Sequence, residues 1–377
     1  MVERGVARKL SEREMMDWPG AVFYISHLAV QNPKSESTPV RIVFNYSQKC
    51  EGISLNDALA KGPYSYLNSL LGILLRWREG HAVVIGDIKK MFNSIEISEA
   101  DQHCHRFLWR DIDITREPDT YVITRVNMGD RPAPAISTEA ILKTADMFQT
   151  TYPHVKRLLY HSTYVDDIIK STMHIDEAKA LARDTELVLS KCGFIIKGWL
   201  FHNPSDDESH SQTRVLGVEW NSATDAKTYD VSVNIPLQMT RRNVLEQVMR
   251  IYDPMGILSP FVLNGKILLR RTWELKLGWD DPLPMELRGE WHKFLTDMHI
   301  LQQYDFNRCL TPKDASGQPS LVLLSDASEK AYGYAAYVRW KLTDGSYWCR
   351  LIMAKTKIAP METLTTPRLE LNVEGAQ

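Results

Sequence analysis

Three aspartates in two separate stretches carry the chemistry this chain can do. Asp166 and Asp167 are adjacent, at the centre of Leu158–Lys170, LLYHSTYVDDIIK. Apolar runs flank them, Leu158-Leu159-Tyr160 on one side and Ile168-Ile169 on the other. Such flanks favour strand and paired Asp residues favour a turn, so the pattern predicts strand, turn, strand. Two carboxylates this close resist joint ionisation unless a cation neutralises them. Hard divalent ions take carboxylate oxygens and complete their shells with water and substrate phosphates. Half of a metal site for phosphoryl chemistry is the sharp reading; a solvated Asp-Asp turn is the plain one.

The second stretch is His81–Phe92, HAVVIGDIKKMF. Ala82-Val83-Val84-Ile85 is short, apolar and β-branched, which predicts a buried strand with Asp87 at its end. A carboxylate leaving a buried strand is costly unless it is hydrated, paired or bound to metal. Two-metal catalysis needs carboxylates from separate segments to bracket both ions. Asp87 with Asp166 and Asp167 has that composition.

These stretches resemble a known family. YVDDI resembles the polymerase motif of reverse transcriptases, and VVIGDIKKMF the segment with their first catalytic Asp. TPVRIVFNYSQKCEGISLNDAL, VNMGDRPAPAI, KCGFIIKGW and RVLGVEW extend the likeness in the same order. RIYDPMGILSPFVLNGKILLRRTWELKLGWDDPLP and LLSDASEKAYGYAAYVR, followed by AKTKIAP and TTPRLEL, resemble the polyprotein of BEL/Pao long-terminal-repeat retrotransposons. Ordered strings of that length are far more specific than a four-residue motif.

The resemblance implies roles. Asp87, Asp166 and Asp167 would hold two Mg²⁺ (or Mn²⁺). Arg41, on the strand VRIVF, would contact the nucleotide triphosphate. Phe92 would lie under the incoming sugar and collide with a ribose 2′-OH. The Met128-Gly129 turn would pack near the nascent base pair, and Tyr164 belongs to the nucleotide site. Where retroviral relatives often have glutamine this chain has Met128, which removes a polar side-chain contact. LGVEW resembles the hairpin that holds the primer end, so Leu216, Gly217 and Trp220 are its candidates. Asp326 and Glu370 would be the first two metal-binding carboxylates of a ribonuclease H fold.

The remaining sequence must position these groups. With 377 residues, about two to three domains are expected. The composition, 44% hydrophobic and 24% charged, is that of an ordinary core-forming chain. A net charge of −2 gives no global support for nucleic-acid binding, so any basic groove must be local. Lys156-Arg157, Arg241-Arg242, Lys266 and Arg270-Arg271 are the candidates, each also consistent with a solvated helix face. Five scattered cysteines form no CxxC pair, which excludes a zinc ribbon and a disulfide framework and fits a reducing compartment. No apolar run approaches membrane-spanning length and no signal-peptide pattern opens the chain, so no membrane partner is expected.

In chain order, Met1–Trp18 is expected to be helical, and Ala21–Val30 and Val40–Phe44 to be strands. Ile53–Gly80 should form one or two helices with a leucine stripe. Ser98–Trp109 should be an amphipathic helix; His103, Cys104 and His105 would point apart on it and so make no metal site. Tyr121–Val126 reads as strand, Ala135–Thr150 and Ile175–Lys191 as helices, and Phe194–Ile196 and Arg214–Trp220 as strands. Thr240–Leu301 is helical, with Val262, Ile267, Leu268 and Trp273 as its core stripe and Lys266, Arg270 and Arg271 available to a duplex. Thr311–Ser320 is a loop. Leu321–Leu324 is then a buried strand, with Asp326 just past its end, and Pro367 opens a helix carrying Glu370.

The expected fold is α+β: a right-hand polymerase followed by a partial ribonuclease H-like α/β domain. Fingers and palm occupy 1–235, a helical thumb and connection 236–310, and the truncated ribonuclease H-like part 311–377. The expected function is RNA-directed DNA polymerisation by a retrotransposon fragment, with primed RNA or DNA template and dNTPs as partners. The protease and integrase segments of the polyprotein would be further partners. The expected location is intracellular, in a cytoplasmic particle or the nucleus. Hybrid-cutting activity is not expected from a truncated domain. The rival readings are a decayed or domesticated element that binds nucleic acid without turnover, and a fragment that works only inside a polyprotein.

Overall fold

The computed structural model describes residues 1–33, 39–63, 67–202, 212–229, 231, 236–360 and 368–370. The helix start expected at Pro367 lies outside these residues. The chain forms two compact units. The first comprises Met1–Ser69, Val84–Ile169 and Lys179–Leu200; the second comprises Leu70–Val83, Lys170–Ala178 and Phe201–Gln377.

One four-stranded sheet has the order Thr163–Tyr164, Asp167–Thr172, Ala82–Ile88, Ile196–His202. Helices Ala133–Met147, Pro153–His161 and Ile175–Ser190 supply the apolar side chains beside it. Ile88, Met91, Ile141, Val155, Leu158, Leu159, Ile168, Leu189 and Ile196 make one buried cluster. Tyr46, Phe44, Leu55, Phe107 and Ile123 make a second, under the hairpin of Ser26–Gln31 with Val40–Asn45.

Leu158-Leu159-Tyr160 is helical, not strand. Val155, Leu158 and Leu159 recur at three-four spacing and are buried, and Pro153 sits in the first turn, where its missing N–H costs nothing. A short apolar run reads equally well as strand or helix, and here the upstream residues decide. Ser98–Trp109 is also mixed: the helix ends at His103, and Arg106–Trp109 pairs with Asp119–Ile123 as a strand. Met1–Trp18 splits into a 3-10 turn, a strand at Ala7–Lys9, and a helix at Glu12–Met16 that starts on a Ser11/Glu14 capping box.

The second unit holds a sheet in the order Gln212–Val215, Val218–Asn221, Ala226–Thr228, Phe306–Asn307. It also holds helices Arg241–Met249, Ser259–Glu274 and Met285–Ile300, and a meander of Ala315–Ala327, Ala331–Leu342 and Tyr347–Ile358. The buried residues of Ser259–Glu274 are Ser259, Gly265, Leu269 and Thr272, none of them in the expected stripe. Gly265 decides the phase: a Cβ there would lie 2.5 Å from the Phe294 ring, so this face alone lets the neighbouring helix close in. Trp273 is turned outward and covers the Arg241 guanidinium at 4.6 Å from its ring centre.

Leu321–Leu324 is strand but not buried; Leu321, Leu323 and Leu324 remain 63%, 48% and 56% exposed. Continuous apolar sequence usually means a strand covered on both faces. Among the described residues this strand lacks such cover. The strand also begins at Ala315, inside the expected loop.

Candidate active site

Thr163 pairs with Ile168 and Tyr164 with Asp167, leaving Val165-Asp166 as a two-residue turn. Val165 has φ 54°. A β-branched side chain in that region is strained, at a cost on the order of 1–3 kcal/mol. The strain is held by packing, since Val165 lies against the buried cluster beneath. The Asp166 carbonyl accepts from the Ile88 N–H at 2.9 Å, which ties the turn to the strand segment carrying Asp87. On the far side, Lys89 N–H donates to the Ile195 carbonyl at 2.8 Å. Gly86 completes the clamp: a Cβ there would lie 2.5 Å from Trp199, so the indole packs flat on bare backbone. Asp87 is inside the strand Ala82–Ile88 rather than beyond it, and Asp167 begins the strand Asp167–Thr172.

Asp87, Asp166 and Asp167 sense one another. Burial and then the Asp87 charge push the Asp166 carboxyl above its usual range. Burial, then Asp166, then Asp87 raise Asp167 to about 6. Apart from the Asp166 backbone, no described residue hydrogen-bonds to or pairs with these three side chains. Half-buried carboxylates without a counter-charge fit a cation site. No three His, Cys, Asp or Glu side chains among the described residues are gathered as a ready metal cage.

The raised Asp167 carboxyl makes stability depend on pH. Its native pKa lies above its unfolded value of 3.8, so the native state holds more protons between the two values. Stability therefore falls as pH rises from about 4 through about 6. After discounting for solvent screening the cost is on the order of 1 kcal/mol. In EDTA, the thermal midpoint should decline across that window, and Asp167→Asn should flatten the decline. Mg²⁺ added at pH 7.5 should raise the midpoint of the unaltered chain more than that of the variant. Identical pH curves for both would show that Asp167 carries no such frustration.

Other expected site residues occupy defined places. Tyr164 is half-buried opposite Asp167. Phe92, on the 3-10 turn Met91–Ser94, packs against the same core as Val165. Arg41 is exposed on its strand, with no hydrogen bond or ion pair among the described residues. Met128 is exposed, and Gly129 has φ 99° with the Tyr46 ring beneath, 3.2 Å from where a Cβ would be.

Sequence reasoning missed the brace of this turn. Asn56 donates to the Gly129 carbonyl at 3.1 Å and accepts from Arg131 N–H at 2.9 Å. Asn127 donates to the Tyr46 hydroxyl at 3.1 Å. Their only sequence signal is polar side chains inside the otherwise apolar stretches SLNDAL and VNMGD.

In the second unit, Gln212–Val215 and Val218–Asn221 form a tight hairpin whose turn is Leu216-Gly217, with φ 47° and 84°. Trp220 departs from expectation. It is fully buried, edge-on to Trp77, and its indole N–H donates to Asp225 at 3.0 Å. It supports the hairpin from beneath and offers no surface to a primer. Asp326 lies within the strand Ala315–Ala327, exposed on a cavity of about 390 Å³ that Ser259 and Pro260 also line. Glu370 is exposed in the helical residues 368–370 and shares no described hydrogen bond or ion pair with Asp326.

Most candidate basic pairs are already engaged. Arg242 pairs with Asp280, Arg270 with Glu274, Arg271 with Glu290 and Lys156 with Asp146. Arg241 is buried against Thr272. Arg270 and Arg271 are thus committed within their own unit. Among the described residues no helix is long and apolar enough to cross a membrane.

Residues 240–374 match the family model described as Pao retrotransposon-like RNaseH-like domain. Over its whole length the chain also superposes on solved structures. One is the foamy viral protease-reverse transcriptase in complex with an RNA/DNA hybrid. It has a TM-score of 0.58 at 16% identity, covering 100% of this chain and 44% of that one. A second is foamy viral protease-reverse transcriptase dRH in complex with double-stranded DNA. Its TM-score is 0.59 at 16% identity, covering 100% and 57%. The chain therefore spans about half the length of the solved chains it matches. At that identity the likeness establishes the fold alone, a mixed helix and sheet fold like that of these reverse transcriptase structures, with the ribonuclease H-like match at its C-terminal side. None of the curated proteins matches.

Proposed function

We propose that this chain is the polymerase-bearing fragment of a retroelement and acts as an RNA-directed DNA polymerase. The observation that carries the reading is the electrostatic interaction of Asp87 and Asp166 with Asp167, and of Asp87 with Asp166. They are half-buried, mutually repelling and without a described partner, at a strained hairpin in a chain of reverse transcriptase fold. These three carboxylates would hold divalent cations, Mg²⁺ or Mn²⁺. When bound, such ions lower the pKa of a primer 3′-OH and neutralise charge on the leaving pyrophosphate.

The chain's own residues supply position and charge, which account for most of phosphoryl-transfer catalysis. Arg41, without a partner among the described residues, is suited to a triphosphate. The braced Gly129 turn presents backbone where a base pair would sit. The Leu216-Gly217 turn is assigned to the primer end. Primed RNA or DNA template and dNTPs are the partners, by analogy with the hybrid and duplex held by the foamy viral structures. Asp326 and Glu370 are given no catalytic step.

The test is primer extension on an RNA template with Mg²⁺ or Mn²⁺. Template-dependent incorporation is expected. Tight binding without any incorporation would instead favour an element that keeps the fold and has lost turnover.

Phe92 tests the nucleotide site separately. Phe92→Ala should raise rNTP use relative to dNTP by roughly tenfold or more, the scale of one steric contact in a pocket. Unchanged discrimination by an active variant would leave Phe92 as core packing only.

A further inference from the structure

The motif IYDPMGILSP, residues 251–260, has no part in the proposed chemistry. Its first residues explain how a strained turn is held. Leucine at φ 47° is costly at position 216, and Gly217 is next at φ 84°. The Tyr252 hydroxyl donates to the Leu216 carbonyl at 2.9 Å. Its ring lies flush with the turn, since a Cβ on Gly217 would be 2.9 Å from Tyr252 Cε1.

Tyr252 is itself anchored by its C-terminal neighbours. The Asp253 carboxylate accepts from the Tyr229 hydroxyl at 3.0 Å and from the backbone N–H groups of Ile257 and Leu258 at 3.1 and 2.7 Å. The Met255 carbonyl accepts from Ala354 N–H at 2.9 Å. Gly256, at φ 68°, meets the Ala354 carbonyl so closely that a Cβ would sit 1.8 Å from its oxygen. The segment is thus bolted to the meander on one side and to the hairpin on the other. A cavity of about 310 Å³, lined by Gly217, Tyr229, Arg250 and Tyr252, lies beside the turn. Both arginines on its wall have carboxylate partners, Arg214 with Glu219 and Arg250 with Glu246. The cavity therefore asks for no ion, and it leaves the turn room to move once released.

We propose that Tyr252 is a positioning residue that holds the Leu216-Gly217 turn in its primer-gripping shape. This rests on the assignment of that turn to the primer end. Tyr252 touches no reacting atom; it acts through the Leu216 carbonyl.

Tyr252→Phe removes the donor and keeps the ring. Affinity is read by fluorescence anisotropy in EDTA without dNTP, on a duplex with a recessed 3′ end and on its single-stranded template alone. The variant should bind the recessed duplex about fivefold more weakly, the scale of one hydrogen bond. It should bind the single strand as before, with an unchanged thermal midpoint. Hydrogen exchange at Gly217 and Val218 should quicken at equal global stability.

Equal affinity of both proteins for the recessed duplex, or equal weakening on both substrates, would overturn the proposal. An unaltered chain that binds the recessed duplex yet never extends it sinks the polymerase reading, while the Tyr252 comparison still decides this one. An unaltered chain that binds neither substrate overturns both.

Discussion

Asp166→Asn should cut primer extension by roughly a thousandfold or more while leaving the fold intact. Losing one preorganised group that meets developing charge typically costs about 10²–10³ in rate, and a carboxylate facing cations carries a full charge. Asparagine is nearly isosteric and suits a turn as well as aspartate does. The Asp166 carbonyl that accepts from Ile88 is backbone and survives the change. The variant also relieves a repulsion, because the Asp166 charge is one cause of the raised Asp167 carboxyl. Stability in EDTA should therefore hold or improve above pH 6. Loss of extension with gain of stability is a combination that general damage does not produce. Extension surviving at a tenth of the original rate would remove Asp166 from the chemistry and the palm assignment with it.

The parts of this site that could be read from sequence are those fixed by neighbours in the chain. YVDDI is a hairpin because its two-residue turn and its flanking strand residues are contiguous. The Leu216-Gly217 turn interrupts Arg214–Trp220, which reads as strand, and the left-handed glycine is its one local signal. Asp87 is legible as a charge on a buried β-branched strand. What stayed hidden depends on distant partners. Leu158-Leu159 could not be told from strand until Pro153 and Val155 were counted with them. Leu321–Leu324 has the composition of a buried strand, yet no cover for it lies among the described residues. The resemblance alone put Trp220 at the primer end, and the Trp77 edge and the Asp225 carboxylate show that it is core. Tyr252 and Leu216 stand far apart in sequence, so no periodicity announces their bond.

Arg308→Lys should destabilise the second unit by about 3–5 kcal/mol, the usual scale for breaking a buried ion pair. Arg308 is completely buried. Its guanidinium forks onto both oxygens of Asp225 and also donates to the carbonyls of Trp77, Gly80 and His81 at 2.7, 2.8 and 2.9 Å. Asp225 in turn holds the Trp220 indole. Arg78 packs alongside, donating to the Arg308 carbonyl at 3.1 Å and to the Leu351 and Ile352 carbonyls at 3.0 and 2.6 Å. Burial pulls the Arg78 guanidinium down to about 10, and it pushes Lys227, close by, well below the ordinary lysine range. The surroundings are thus rich in cations and carbonyls with little carboxylate, and one planar fork satisfies most of the acceptors. Lysine keeps the charge but carries three donors on a point-like head, so it cannot span both Asp225 oxygens and three carbonyls. Acceptors left unpaired in the interior each cost about 1–3 kcal/mol. The control is Arg242→Lys, whose pair with Asp280 is exposed and whose unfolding midpoint should barely move. Urea unfolding of the two variants beside the unaltered chain decides the matter. Because Trp220 underlies the hairpin, the Arg308 variant should also lose the recessed-primer preference before it unfolds globally. A midpoint for Arg308→Lys no lower than that of Arg242→Lys would mean that water, or a rearranged Asp225, satisfies these carbonyls as well as the guanidinium does.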